Sequence, residues 1–193
     1  MSLKVTITGY KPFLKRIKEL GPESKQIIDD ELNAGALEMV REAKRNAPVD
    51  EGFLRNSIGA DTSKILQKEF FSSAFYSVYR EFGTGKKFKA PAGYESFAAK
   101  YKGKAGRGNM MQFFYRLVLW VRRKGISGTY STKSRRRTGS RANQATQDYQ
   151  VAYAIMLSIL KNGSLPHPFM IPALKKVNPQ IVTRIIKRIK AIK

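Results

Sequence analysis

The sequence contains no cysteine and only one histidine, His167, among its 193 residues. The absence of cysteine excludes disulfides, thiolate zinc sites and cysteine nucleophiles. A single imidazole cannot supply a metal site that needs several histidines. No apolar run approaches the roughly 20 residues that span a bilayer, and Met1 to Gly9 lack the apolar stretch of a signal peptide. We therefore expect no membrane partner.

Acidic residues are scarce in the second half of the chain. Residues 1–95 carry 16 lysines and arginines against 13 aspartates and glutamates, whereas residues 96–193 carry 21 against a single acid, Asp148. The formal net charge is +23. An excess of this size repels itself in a compact monomer unless a polyanion or an acidic partner lies nearby. Charge alone favours a basic nucleic-acid-binding module of the ribosomal kind.

Apolar residues make up 42% of the sequence, enough for the core of one folded domain. Alternation predicts a short strand at Leu3–Ile7, and a less regular pattern predicts another over 64–72. Apolar spacing of three to four residues predicts helices over 11–20, 23–47, 110–124, 148–161 and 179–193. The fold class expected is α+β: a small antiparallel sheet packed against the long amphipathic helix 23–47, with inserted helices and a basic C-terminal helix.

The chain is expected to form a single domain over residues 1–193. Its core would comprise about 1–85 and 148–193, and a basic insertion would occupy about 86–147, with an exposed loop over 125–147. Within helix 23–47, the small residues Ala34, Gly35 and Ala36 allow another backbone to approach closely. That neighbour could be the chain's own core or a second subunit.

Candidate catalytic patterns are weak. Asp29, Asp30 and Glu31 lie in the first turns of a helix, where the dipole favours acids; a metal-dependent nuclease is the alternative. His167 lies between two prolines without a relay partner. The stretch Gly83-Thr84-Gly85-Lys86-Lys87 lacks the spacing of a phosphate-binding loop. We therefore predict no enzymatic activity, no cofactor and no metal site.

Cationic residues cluster around the middle of the second half. Serine, threonine and glycine separate them without an intervening acid, which is typical either of a solvated loop or of a sequence-independent contact to phosphates. We predict that this cluster meets DNA or an acidic partner protein. Its members are Arg122, Arg123, Lys124, Lys133, Arg135, Arg136, Arg137 and Arg141.

Three blocks in a fixed order carry a family resemblance. The first runs from Ala43 to Ile58 and reads AK..AP.D.G.LR.SI. The second runs from Tyr76 to Thr84 and reads Y..Y.EFGT, and the third, from Pro168 to Leu174, reads PF..PAL. Together they resemble the tail-completion, or neck, protein family of long-tailed bacteriophages. Each block is weak alone, and the combination is more specific.

The resemblance implies an α+β structural protein of the virion neck or tail, present in the host cytoplasm during assembly. Family members form a homo-oligomeric ring, usually a hexamer, with a dodecamer as the alternative. The ring caps the tail tube, joins it to the head connector and stopper proteins, and passes genomic DNA through its lumen. More than 80 residues separate the second block from the third, which is more than compact members need, so no role for the insertion follows.

The residues of the blocks are candidates for contacts between subunits. Glu81 could pair with Arg55 of a neighbouring subunit, and Phe169 and Ile171 could anchor in a sheet groove of the same or an adjacent subunit. Packing inside one chain is the alternative reading for all of them. The predicted interface set is Arg55, Glu81, Phe82, Gly83, Thr84, Phe169 and Ile171.

Overall fold

The computed structural model describes residues 3–6, 21–103, 109–128, 138 and 140–191, with backbone only for 3–6. The predicted helix over 11–20 and the cations from Lys133 to Arg137 lie outside these residues. The described elements, in chain order, are β1 (Leu3–Thr6), α1 (Gly21–Asn46), α2 (Phe53–Asn56), β2 (Ile58–Asp61), β3 (Glu69–Ser72), α3 (Ser77–Phe82), a 3-10 turn (Gly85–Lys87), α4 (Glu95–Ala99), α5 (Met110–Lys124), α6 (Arg141–Asn162) and α7 (Met170–Lys190).

The three described strands form an antiparallel sheet in the order β1-β3-β2. Ser72 of β3 pairs with Leu3 on one side and Ile58 on the other. Along β3, Phe70 and Ser72 are buried while Glu69 and Phe71 are only partly covered, as the pleat of a half-buried strand requires. Phe70 packs into the same core as the inner face of α1. The α+β class is confirmed.

Helix α7 lies against α1 and completes the core. Gly35 of α1 faces Ile181, and a methyl group at Gly35 would collide with that side chain. The close approach allowed by the small residues is therefore made within the chain. Across the same helix pair, the Arg184 Nε donates to Glu31 at 2.7 Å. Arg188 donates to the other oxygen of Glu31, so charges border the apolar seam.

Helices α5 and α6 form a hairpin with a small apolar core of its own. Val118 and Val121 of α5 are buried against Ala152 of α6. The expected division of the chain had grouped residues 148–161 with the main core. In the structure that segment packs on the inserted helix 110–124 through the cluster of Val118, Val121 and Ala152, and its helix also contacts the 3-10 turn of the core. The division itself stays a prediction.

Three predicted boundaries are wrong. Residues 64–68 form a turn, not the start of a strand, because Lys68 and the Leu66 N–H both bind Asp29 of α1. Helix α6 begins at Arg141, seven residues early, and the Ser140 hydroxyl accepts from the Asn143 N–H at its start. Helix α7 begins at Met170 and contains Pro179, which had been expected to begin the helix.

Candidate assembly surface

The carboxylate of Glu81 is fully buried and holds the start of helix α7. One carboxylate oxygen accepts from the backbone N–H groups of Phe169 and Met170, at 2.9 and 3.0 Å. The other accepts from the Ile171 N–H at 2.9 Å. These are N–H groups that a helix start leaves without an intrahelical partner, and an acid there complements the helix dipole. The second and third sequence blocks are thereby joined.

Burial raises the pKa of the Glu81 carboxyl above its ordinary value. The three backbone donors and nearby His167 work against that shift because they favour the charged form. The observed geometry uses both carboxylate oxygens as acceptors. The side chain therefore serves the fold as a hydrogen-bond acceptor at the centre of the chain.

Backbone contacts extend this joint on the N-terminal side of α7. The His167 N–H donates to the Arg80 carbonyl, and the Thr84 N–H donates to the Ser164 carbonyl. The Thr84 hydroxyl also accepts from the Ser164 N–H at 2.8 Å. Gly163, with φ of 78°, lies so close to the Thr84 carbonyl that no side chain fits between them. We call residues 80–85, 163–171 and their hydrogen bonds the clasp.

The clasp corrects the interface assigned to several block residues. Glu81 is buried with its oxygens occupied inside the chain, so a pair with Arg55 of a neighbouring subunit is not available in this structure. Phe82, Phe169 and Ile171 lie in the main core. Gly83 is buried and faces the backbone of Ser164 and Pro166. These residues therefore pack inside one chain, which was the alternative interpretation.

Two members of the predicted interface set remain at the surface. Arg55, on the short helix α2, is exposed, and Thr84 is half-buried with its hydroxyl in the clasp. Arg55 therefore stays a predicted contact residue.

The cations at the end of α5 are engaged inside the chain. Arg122 donates to the buried carboxylate of Asp148, which also accepts from the Ser127 hydroxyl. Arg123 pairs with Asp50 at 2.6 Å and with Glu51 at 2.7 Å. The guanidinium of Arg123 holds the pKa of Asp50 below its ordinary value.

These ion pairs attach the hairpin to the loop of the first block. Lys124 also reaches Asp50, at 3.4 Å. DNA or an acidic partner would therefore compete with acids of the same chain for Arg122, Arg123 and Lys124. Arg141, at the start of α6, is exposed.

Beneath the ion pairs, an open groove separates the first-block loop from the hairpin. Its walls come from Val49, Phe53 and Tyr76 on one side and from Leu117, Trp120 and Ile155 on the other. Phe53 stacks on Tyr76 with 6.1 Å between ring centroids, and Phe75 meets the same ring edge-on at 5.2 Å. Phe53 and Phe75 are both more than half exposed. We call Phe53, Phe75 and Tyr76 the aromatic patch.

The acidic cluster of the nuclease alternative is dispersed among separate partners. Asp29 binds Lys68, Asp30 accepts from Gln26, and Glu31 binds arginines of α7. Burial works to raise the pKa of Glu31, but the hydrogen bonds from Arg184 and Arg188 outweigh it and lower that pKa. Within the part of the chain that the structure describes, no three such side chains converge on a site for a metal ion.

Comparison with protein families finds a match to residues 11–83. The matching family is HK97-gp10-like, described as "Bacteriophage HK97-gp10, putative tail-component". Over this span the chain resembles a phage tail component. The match contains the first block and the second as far as Gly83, so the predicted resemblance is confirmed there. Comparisons with curated proteins and with solved structures found no match.

The match ends two residues beyond Glu81, whose carboxylate reaches the third block. The hairpin and α7 lie outside the matched span. Among the described residues, no helix is both long and apolar enough to cross a bilayer.

Sequence reasoning missed the roles of Glu81 and Asp148. Glu81 lies one turn after Val78 and next to Phe82, on the buried face of α3. An acid at such a position indicates a buried acceptor more readily than a surface partner. Asp148 is the lone acid among residues 96–193, and this isolation among basic residues was the corresponding signal in the sequence.

Proposed function

We propose that this protein is a structural component of a phage virion, acting at the neck. It would form a homo-oligomeric ring that completes the tail at its head-proximal end and joins it to the head connector. The match of residues 11–83 to a tail-component family carries this proposal. The clasp supports extending it to the third block, because Glu81 ties that block directly to the matched span.

Assembly into a ring needs two different complementary faces on each subunit, since head-to-tail contacts close a ring only when the rotation between subunits closes. Among the described residues, exposed large apolar side chains include those of the aromatic patch and of the hairpin, and others lie at Leu37, Ile65, Leu165, Val182 and Ile186. Contiguous exposed apolar surface beyond a few hundred Å² marks interaction sites in soluble proteins. This supports a subunit that buries more surface when assembled. A hexamer is the expected ring, with a dodecamer as the alternative.

The proposed partners are the tail tube protein on one face of the ring and the head connector or stopper protein on the other. Genomic DNA would pass through the lumen, and the +20 of residues 96–193 suits a surface near phosphates. The protein would reside in the virion neck after assembly in the host cytoplasm. Its role in this proposal is geometric, and no catalytic step is assigned to it.

Reconstitution with the tail tube protein of the same phage tests this function. We expect negative-stain images to show rings of the purified protein, and rings capping one end of the tubes in the mixture. Addition of the connector should then join capped tubes to connector rings. A protein that neither forms rings nor binds tube ends or connectors would contradict the proposal.

Nucleic-acid binding is the second candidate, favoured by the charge of the second half. It predicts a monomer that binds duplex DNA or RNA with an affinity that falls steeply as salt rises, because bound cations displace counterions. Titration of fluorescent DNA at several salt concentrations measures this slope. A monomer with a steep slope and no affinity for tail tubes would favour this candidate over the neck.

A further inference from the structure

The hairpin exposes a stripe of apolar side chains on the side away from the core. On each helix the members recur at three or four residues, which places them on one side of that helix. Each is between 39% and 58% exposed. We call this set the outer stripe: Met111, Tyr115, Leu119, Tyr149, Tyr153, Leu157 and Leu160.

Ring contacts join the two halves of the outer stripe. Phe114 of α5 lies with its ring centroid 5.8 Å from that of Tyr149 and 6.4 Å from that of Tyr153. It also meets Tyr115, at 6.2 Å. The guanidinium of Arg122 lies 5.9 Å from the Tyr149 ring centroid. The stripe is therefore one continuous surface across both helices.

The opposite side of the hairpin faces the main core across the groove. Leu117, Trp120 and Ile155 line the groove that faces the first-block loop. The residues of the outer stripe occupy the other flank of each helix, and within the described part of the chain they stay substantially exposed. A second molecule could therefore bury them.

The size of the outer stripe suits a stable interface. Its seven side chains are about half exposed, and large side chains of this kind bury about 150–250 Å² each when fully covered. The exposed area is therefore about 700 Å², close to the ~800 Å² that each partner of a standard protein interface buries.

Charge argues against two hairpins meeting face to face. Arg116, Arg141 and Lys161 are exposed on the hairpin, and its single acid, Asp148, is buried. Like charges brought together at an interface disfavour that pairing. In a second copy, all acids other than Asp148 precede residue 96. The acids that a second copy offers therefore lie in its core. Beside Phe53 they are Asp50 and Glu51, each more than a third exposed although they pair with Arg123 of their own chain.

We propose that the outer stripe of one copy docks on the core of the next copy, over the aromatic patch. Phe53 and Phe75 supply the exposed rings there, and aromatic side chains dominate the energy of many interfaces. Stripe and patch are different surfaces, so the contact is head-to-tail and can propagate around a ring. This inference rests on the proposed ring and names the contact that closes it.

Paired variants test the inference on the full-length chain. Leu119→Gln with Leu157→Gln disables the stripe, and Phe53→Gln with Phe75→Gln disables the patch. Leu37→Gln with Leu165→Gln is the matched control, because both leucines are more than 60% exposed and lie outside either surface. Circular dichroism and thermal unfolding check that each variant stays folded, and sedimentation velocity gives the assembly state.

We expect wild type and control to form the same ring, while the stripe and patch variants each associate at least about tenfold more weakly. An equimolar mixture of the two variants should give a heterodimer that grows no further. One intact stripe then meets one intact patch, and the remaining faces are both disabled.

Four outcomes would overturn the inference. A stripe variant that forms rings as well as wild type would remove the stripe from the contact while leaving the proposed ring intact. A mixture that stays monomeric would mean that stripe and patch do not bind each other. A wild-type protein that is monomeric, both alone and on tail tubes, would exclude the contact together with the ring. A stripe variant that forms rings but no longer caps tubes would assign the stripe to the tube.

Discussion

The main core and the hairpin are held together in different ways. In the core, the buried carboxylate of Glu81 accepts hydrogen bonds from three backbone N–H groups. Large aromatic side chains belong to the same core. The hairpin has a few buried aliphatic residues, one buried acid and a rim of ion pairs. Seven of its tyrosine, leucine and methionine side chains are between 39% and 58% exposed. From this difference we infer that the core stabilises the fold of the subunit, whereas the hairpin supplies the contact between subunits.

Removing the Glu81 carboxylate should lower the stability of the main core more than any of the other changes predicted below. Glu81→Ala leaves three backbone N–H groups buried without an acceptor, each costing about 1–3 kcal/mol. We expect a loss of about 4 kcal/mol or more in the free energy of unfolding, measured by denaturant titration. Glu95→Ala, at an exposed glutamate, is the control and should change stability by less than about 0.5 kcal/mol. Near-equal effects would show that the clasp does not hold the core.

A methyl group inside the clasp should be the next most damaging change. Gly163→Ala forces a side chain against the Thr84 carbonyl and strains a backbone with φ of 78°. Overpacking and left-handed strain together should cost about 3 kcal/mol. Gly93→Ala separates the two causes, because Gly93 has φ of 83° but nothing within 4 Å of the added methyl. Thermal unfolding of both variants gives the difference, and equal melting points would rule out the close contact.

Neutralising Asp148 should loosen the hairpin and leave the core intact. Asp148→Asn weakens the bonds from Arg122 and Ser127 to a buried acceptor, which should cost about 2 kcal/mol locally. Hydrogen exchange should accelerate in α5 and α6 while amides of α1 and α7 keep their protection. Ser140→Ala, which removes the cap of α6 without touching Asp148, should accelerate only the first turn of that helix. Equal acceleration in α1 would mean that the two regions unfold together.

Acid should weaken the core through Glu31. The folded-state pKa of Glu31 is lowered, so its stabilising contribution is fully present above the unfolded value of about 4.3. That contribution is lost as the pH falls through the lower folded value. Glu31→Gln should cost about 1.5 kcal/mol at neutral pH, as expected for hydrogen bonds to a charged group.

Below about pH 4, stability of the Glu31→Gln variant should converge on that of wild type. Urea denaturation across this range measures the convergence. An unchanged gap between the two proteins at low pH would show that ionised Glu31 does not stabilise the packing of α1 on α7.

Exposed ion pairs between hairpin and core should matter least. Arg123→Gln removes the pairs with Asp50 and Glu51, which are each more than a third exposed. Surface pairs of this kind contribute about 0–1 kcal/mol, so a loss below about 1 kcal/mol is expected in thermal unfolding. High salt should abolish the difference from wild type. A loss as large as that of Glu81→Ala would contradict the view that the hairpin is a weakly attached layer.

Local patterns predicted the helices better than the joints between them. The α5 helix over 110–124 and its glycine stop matched the prediction, because apolar spacing and a left-handed Gly125 are local signals. The start of α7 was missed because its cap comes from Glu81, almost 90 residues earlier. The turn over 64–68 was missed because its two anchors bind Asp29 on another element.

The candidate site shows the same limit. Blocks that a family resemblance marks as important were read as contact residues, and most of them form the clasp instead. Helical periodicity predicted the two helices of the hairpin, but it does not say whether a flank of a helix is covered by the rest of the chain. Only the packing of α5 on α6 separates Phe114, which is half-buried, from Tyr115, which is exposed.

Hydrogen exchange of the wild-type protein, compared between the monomer and the assembled ring, tests the central claim most directly. If the core carries the fold and the hairpin carries the contact, assembly should slow exchange at α5, α6 and the segment from Phe53 to Tyr76. Exchange within the clasp should already be slow in the monomer and should not change. Protection that arises on assembly in residues 80–85 and 163–171, with none in the hairpin, would contradict the account.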